Sequence, residues 1–139
     1  MTLVVTNRLL INHAQKSTSM KSALESNLFS GTVPSELGKL VNLTYLNLNA
    51  NNLTGEFPLS LTNLSKLSVL RISSNNFTGS MPEFSGWKQL QYLEMEASGC
   101  KGPIPSSISS LDKLIEMYVL FHLLSIFLCL LKILVCSLT

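Results

Sequence analysis

The stretch VNLTYLNLNANNLTGEFP, residues 41–58, decides how this chain folds. Its skeleton is Leu-x-x-Leu-x-Leu-x-x-Asn-x-Leu-x-Gly-x-Phe-Pro, and it returns with small changes as SKLSVLRISSNNFTGSMP at residues 65–82. The asparagines of the two copies, Asn51 and Asn75, are 24 residues apart. A fixed period of about 20–29 residues with this leucine-rich head indicates stacked units, each of which is one strand with a return segment.

Two less regular copies flank this pair. Upstream, the asparagine position falls on Asn27, another 24 residues back, and downstream, after 23 residues, it falls on Ser98. The third copy is therefore one residue short, and Phe84 and Trp87 replace two leucines of its outer segment. We expect this segment to rearrange. A fifth copy begins at Leu114 and then merges into an apolar tail.

Each copy predicts one short strand followed by a turn. In the triplet Leu46, Asn47 and Leu48, apolar and polar residues alternate, as they do in a strand with one buried face. Stacked units place these strands side by side in a parallel sheet on a concave side. No unit covers its own apolar side chains, so stacking must build a continuous core. The expected core columns are Leu46, Leu70 and Leu93, with Leu48, Ile72 and Met95 beside them.

A ladder of asparagines marks the turn after each strand. An amide side chain both donates and accepts, so a column of asparagines can satisfy turn backbone groups that would otherwise be buried without partners. Ser98 has a shorter reach, so we expect it to be the weakest rung. Glycines and prolines follow at fixed places, where the glycines permit unusual dihedrals and the prolines fix the outer turn. They are Gly31, Gly55, Gly79 and Gly102, and Pro34, Pro58, Pro82 and Pro105.

This pattern resembles the leucine-rich repeats of plant receptor-like kinases, in which Leu-Thr-Gly-x-Phe-Pro follows the asparagine. The resemblance extends over residues 23–116. It implies an α/β solenoid of about four 24-residue units with parallel strands on the concave face, a role in ligand recognition, and the plasma membrane as location. The kinase signatures Gly-x-Gly-x-x-Gly, His-Arg-Asp and Asp-Phe-Gly are absent from the sequence. We therefore expect no enzyme activity.

Composition narrows the remaining classes. A length of 139 residues suits one domain, and a net charge of +2 gives no reason to expect nucleic acid as a partner. The three cysteines form no close pair, and two lie in the apolar tail, so a disulfide framework is not expected. His13 and His122 are isolated, so neither a metal site nor a cofactor is predicted.

The two ends of the chain lack the repeat. Residues 1–20 are predicted to be an irregular leader, because Arg8 interrupts the apolar core of about 7–15 residues that a secretory signal needs. Residues 21–116 form the repeat domain. Residues 117–139 are mostly apolar, and about 20 residues suffice to cross a bilayer as a helix, so we predict a C-terminal transmembrane helix. Lys132, near its end, could reach the headgroups.

Other interpretations of the ends stay open. The tail is also compatible with a core segment or an aggregation-prone segment. Since neither end matches the resembled family, the chain could equally be a gene fragment, structural only or unstable, with no independent activity. A tail-anchored topology would leave the repeats in the cytosol, whereas insertion through the leader would place them outside.

The polar strand positions define the candidate binding face. Solenoids bind partners on such extended concave surfaces, although a merely solvated face would show the same alternation. The predicted partners are a peptide or a protein, for example another leucine-rich-repeat receptor, together with a membrane. The predicted binding residues are Tyr45, Asn47, Asn49, Arg71, Ser73, Tyr92, Glu94 and Glu96, with Ala23, Glu25 and Val69 adjoining.

Four Asn-x-Ser/Thr sequons are candidate glycan acceptors if the chain enters the secretory pathway. They lie at Asn42, Asn52, Asn63 and Asn76. The repeat itself accounts for two of them, because Leu-Thr or Phe-Thr after the ladder asparagine creates a sequon at Asn52 and Asn76.

Overall fold

The computed structural model describes residues 21–23, 25–26 and 28–119 of the chain. Its main element is a five-stranded parallel sheet, in the order β1-β3-β5-β7-β8, in which each strand comes from the next repeat. The strands are β1 (Lys21–Ala23), β3 (Tyr45–Asn47), β5 (Val69–Arg71), β7 (Tyr92–Glu94) and β8 (Glu116–Tyr118). The solenoid with parallel strands that the repeat pattern predicts is therefore present.

The strand register follows the repeat. Leu46 pairs with Leu70, and Leu70 pairs with Leu93, so the first expected core column stacks directly, and Leu48, Ile72 and Met95 follow it beyond the strands. The side chains of both columns are at most 2% exposed. Burial of a leucine side chain contributes about 1.5–3 kcal/mol, so each rung of these columns adds appreciably to stability.

A second parallel sheet, not expected from the sequence, lies after the ladder turns. It consists of β2 (Ser30–Thr32), β4 (Asn52–Glu56) and β6 (Asn76–Thr78), in that order. Leu53 and Phe77 point into the core while their neighbours stay accessible, which is the alternation of a half-buried strand. Glycine is favoured at position 55, because φ is +77° there and a Cβ would lie 2.6 Å from Cγ2 of Thr32.

The return segments are short 3-10 helices. They are η1 (Ser35–Lys39), η2 (Leu59–Asn63) and η3 (Ser106–Ser110), and each follows the proline of its repeat. The part of the chain that the structure describes contains no α-helix, so the helical layer of the expected α/β solenoid consists of 3-10 turns. Proline at the entry suits this because its φ is already near the helical value.

The short third repeat rearranges its return segment as expected. No 3-10 helix forms between Met81 and Leu90, and aromatic side chains fill the space instead. The indole Nε1 of Trp87 donates to the carbonyl of Leu61 at 2.8 Å, and its ring meets Phe57 edge-on. Trp87 is fully buried, and its one polar atom has a partner, as a buried indole requires.

The predicted boundary between repeats and tail lies too early. Met117 and Tyr118, which the sequence pattern assigned to a transmembrane helix, belong to strand β8. The fifth repeat head that begins at Leu114 therefore does form a strand. The remainder of the predicted helix, residues 120–139, and the leader lie outside the described residues. Among the residues that are described, no helix has the length and apolar character needed to cross a bilayer.

Candidate functional site

The concave sheet displays three rows of side chains, which together we call the concave face. Parallel pairing in register places equivalent residues of successive repeats side by side. The first row holds Tyr45, Val69, Tyr92 and Glu116, the second holds Asn47, Arg71, Glu94 and Tyr118, and the third, just beyond the strands, holds Glu25, Asn49, Ser73 and Glu96.

A polar network ties the middle of this face together. The carboxylate of Glu94 lies between two partners: its Oε1 is 3.1 Å from Nε of Arg71, and its Oε2 accepts from Nδ2 of Asn49 at 2.9 Å. Asn49 in turn accepts, through Oδ1, a 2.7 Å hydrogen bond from the backbone N–H of Ser73. Three successive repeats are thus linked by side chains on the surface that a ligand would meet.

The contact between Arg71 and Glu94 is an ion pair without hydrogen-bond geometry. The two atoms are close enough for charge attraction, but the Nε–H of Arg71 does not point at the carboxylate, so this buried atom has no hydrogen-bond partner. The side chains are 35% and 23% exposed. Pairs this accessible contribute at most about 1 kcal/mol, so the network orients the two groups more than it stabilises the fold.

Asn47 departs from its predicted role. It lies on the polar side of β3, yet it is only 1% exposed. Its Nδ2 donates to Glu25 at 2.9 Å and weakly to the hydroxyl of Tyr45 at 3.4 Å, while its Oδ1 accepts from the N–H of Asn49. Longer neighbours have closed over a short side chain, so Asn47 supports the face and does not present itself to a ligand.

The other predicted binding residues stay accessible to different degrees. Tyr45, Asn49, Arg71 and Tyr92 are half-buried, as are Ser73, Glu94 and Glu96. The hydroxyl of Ser73 accepts from the backbone N–H of Glu96 at 3.1 Å, so it is engaged in holding the next repeat. Ala23 lies in β1, beside Asn47.

Sequence reasoning missed two residues of the face, Glu116 and Tyr118. The signal was present, because the fifth repeat head fixes both positions by register with Tyr92 and Glu94. Tyr118 donates to Oε2 of Glu116 at 3.4 Å. The Glu116 carboxylate raises the pKa of the Tyr118 phenol above its ordinary value, with further contributions from burial, Glu94 and Glu96. This end of the face is therefore electronegative.

All four sequon asparagines are exposed. Asn52 and Asn76 begin strands β4 and β6 of the second sheet, away from the three rows, and Asn63 ends η2. Asn42 accepts a hydrogen bond from Nζ of Lys66 at 2.7 Å. None of the four belongs to the concave face.

The described residues contain no other candidate centre. No group of three or more His, Cys, Asp or Glu side chains among them could hold a metal ion. Cys100 is a buried free thiol, and its burial raises its pKa, although the hydroxyl of Ser98 and a backbone hydrogen bond oppose this. A thiol that stays protonated is a poor nucleophile.

Comparison with known proteins agrees with this geometry. The family profile "Leucine rich repeat" matches residues 41–99. The chain is similar to the crystal structure of a TDR receptor, with 40% identity and a TM-score of 0.64, over 68% of this chain and 16% of that one. It is also similar to the Arabidopsis receptor kinase HAESA in complex with the peptide hormone IDA and the co-receptor SERK1, with 36% identity and a TM-score of 0.62, over 65% and 15% of the two chains.

A shorter relative is the BIR3–SERK2 complex from Arabidopsis thaliana, with 30% identity and a TM-score of 0.58, over 61% of this chain and 46% of that one. No curated protein matches the chain significantly. The chain spans about one-sixth of the length of the first two receptors. Residues 41–99 therefore match leucine-rich repeats, and the described solenoid is similar to the repeats of plant receptor-kinase ectodomains.

Proposed function

We propose that the chain is a recognition module whose concave face binds an extended peptide or the surface of another protein. The observation that carries this proposal is the network of Asn49, Arg71 and Glu94, which holds polar side chains in place across three repeats before any partner arrives. Side chains that are already ordered lose less conformational entropy on binding.

The similar structures support the same partner classes. HAESA is described in complex with a peptide hormone and a co-receptor, and BIR3 is described in complex with SERK2. We therefore propose a peptide or a second leucine-rich-repeat receptor as the partner, and recognition in signalling as the role. Catalysis and nucleic-acid binding are not part of the proposal, because neither the motifs nor the net charge of +2 suggest them.

Membrane anchoring belongs to the same proposal. Residues 120–139 carry the apolar run on which the expectation rests, with Lys132 as its one charged residue. The full chain expressed in plant cells should resist alkaline carbonate extraction. A glycosidase mobility shift would show that the sequons had crossed a membrane, and complete release by carbonate would remove the anchor from the proposal.

The binding proposal is tested by panning a linear random-peptide library, displayed on phage, against the immobilised full chain. Arg71→Glu should abolish enrichment while its melting curve stays with the parent, because the side chain lies on the surface. Leu70→Ala should instead destabilise by about 2–5 kcal/mol, because a fully buried leucine is lost. Peptides that bind the parent and the Arg71→Glu variant equally would place binding elsewhere.

A second candidate, a repeat segment with no activity of its own, is favoured by one observation. At the C-terminal side of the described solenoid, Ile104, Ile108 and Leu114 are only partly buried, whereas their counterparts in the preceding repeats are almost wholly buried. A solenoid layer with partly exposed apolar side chains favours association or unfolding. Light scattering and a denaturant titration of the full chain separate the candidates, since aggregation without a cooperative transition would favour this one.

A further inference from the structure

The first row of the concave face contains a notch over Val69. Its neighbours in register are Tyr45 on β3 and Tyr92 on β7, so a short side chain lies between two long aromatic ones. All three side chains are half-buried and therefore partly accessible from the concave side. Adjacent strands are about 4.8 Å apart, so the tyrosines are separated by about 10 Å, which is enough to admit one aliphatic or aromatic side chain.

Negative charge is concentrated one to two strands from this notch. Within the described part of the chain the one ion pair is that of Arg71 with Glu94, so Glu94 is largely compensated. Glu96 and Glu116 have no cation within ion-pair distance among the described residues. The Glu116 carboxylate is the main cause of the raised pKa of Tyr118, and Glu94 and Glu96 add smaller contributions.

The distance between the notch and the carboxylates predicts how far apart an apolar and a basic residue should lie in a bound peptide. The notch lies over β5. Glu116 lies in the same row on β8, the second strand beyond the notch, whereas Glu96 lies beyond the end of β7 in the third row. Two strand spacings amount to about 10 Å, and an extended peptide advances about 3.3 Å per residue. A peptide that runs across the strands therefore covers this distance in two to three residues.

We propose that the concave face recognises an extended peptide in which an apolar side chain, seated over Val69 between Tyr45 and Tyr92, lies two or three positions from a lysine or arginine that pairs with Glu116, while Glu96 adds to the negative charge around that strand. This inference rests on the proposed function and names the class of ligand for that surface. Tyrosine walls provide apolar contact area at low entropic cost, and charge complementarity sets the register of the peptide.

The test uses the same phage selection on the full chain, followed by affinity measurements on the enriched peptides. The enriched sequences should share an apolar residue and a basic residue at the stated spacing. Val69→Phe fills the notch and should weaken binding about tenfold, and Tyr92→Ala, which removes one wall, should do the same. Val41→Phe is the matched control, because Val41 is 52% exposed and lies outside the concave strands.

The charge half is tested by the double variant Glu96→Gln/Glu116→Gln. It should weaken binding about tenfold and flatten the dependence of affinity on salt, whereas Glu36→Gln on η1 should change neither. Each variant must melt with the parent.

Peptides that require Arg71 but lack a basic residue, or that tolerate Val69→Phe and Tyr92→Ala, would overturn this proposal while leaving concave-face binding intact. If no enriched peptide is sensitive to Arg71→Glu, the proposed function itself fails, and this inference fails with it.

Discussion

The third and fourth repeats close the same turn by different means. In the third repeat the Asn75 amide donates to the carbonyls of Leu48, Ile72 and Ser73 and accepts from the N–H of Leu53 at 3.1 Å. In the fourth repeat Ser98 occupies this place, and it is the backbone carbonyl of Ser98 that accepts from the N–H of Phe77, at 2.9 Å. In both cases the backbone N–H of a buried residue in the preceding repeat, Leu53 or Phe77, needs a hydrogen-bond acceptor. A side chain meets this need in one repeat and the main chain meets it in the next.

Gly99 makes the main-chain solution possible. Its φ is +93°, and a Cβ there would lie 2.4 Å from the carbonyl oxygen of Phe77 and 2.7 Å from its nitrogen. The equivalent residue in the third repeat is Asn76, which lies in β6. Serine at position 98 and glycine at position 99 therefore depend on each other. Without the asparagine amide, the main chain of residue 98 must approach Phe77, and only glycine at position 99 leaves room for that approach.

The largest effect is expected from Gly99→Ala. The new Cβ collides with backbone atoms, which cannot rotate away, and the residue sits at positive φ, so we expect a loss of about 3 kcal/mol or more. Gly102→Ala is the matched control. Gly102 has φ +85° but nothing within 4 Å of its Cβ position, so it should lose only the dihedral term of about 1–2 kcal/mol. Equal losses in denaturant titrations would contradict the close approach.

A smaller loss is expected from Asn75→Ala. It removes four hydrogen bonds to backbone groups of two repeats and leaves the Leu53 N–H without its acceptor, which should cost about 1–3 kcal/mol. Ser74→Ala controls for the substitution, because Ser74 is exposed and adjacent. An Asn75→Ala protein with the unfolding midpoint of the parent would show that the ladder carries no stability.

The smallest loss is expected from Ser98→Ala. The hydroxyl accepts only one long hydrogen bond, 3.4 Å from the N–H of Cys100, so its removal should cost less than about 1 kcal/mol. A loss as large as that of Asn75→Ala would mean that the serine side chain supports the turn. Urea unfolding of both variants under one set of conditions decides between these outcomes.

The repeat period alone is enough to predict strand register and the position of the irregular return segment. The register of Leu46, Leu70 and Leu93 follows from spacing, as does the displaced return segment around Trp87. Ser98 was expected to be a weak version of an asparagine rung, which misses the role of its backbone, because a pattern of side chains carries no information on main-chain hydrogen bonds. The second sheet was missed for the same reason.

The concave face is only partly predictable from alternation. Alternation places Asn47 on the polar side of β3, but its burial depends on the lengths of Tyr45 and Glu25. Tyr118 was assigned to the tail and Glu116 to the very end of the repeat domain, because the apolar run that follows them was given more weight than one further strand. The spacing within one repeat determines on which side of the sheet a side chain lies. Its exposure depends on the side chains that neighbouring repeats place beside it.

Hydrogen exchange at two backbone amides tests the two modes of turn closure most directly. Leu53 N–H is bound to the side chain of Asn75, and Phe77 N–H is bound to the main chain of residue 98. Asn75→Ala should therefore remove the protection of the Leu53 amide, whereas Ser98→Ala should leave the Phe77 amide as protected as in the parent. Loss of Phe77 protection in Ser98→Ala, comparable to that of Leu53 in Asn75→Ala, would contradict closure by the main chain.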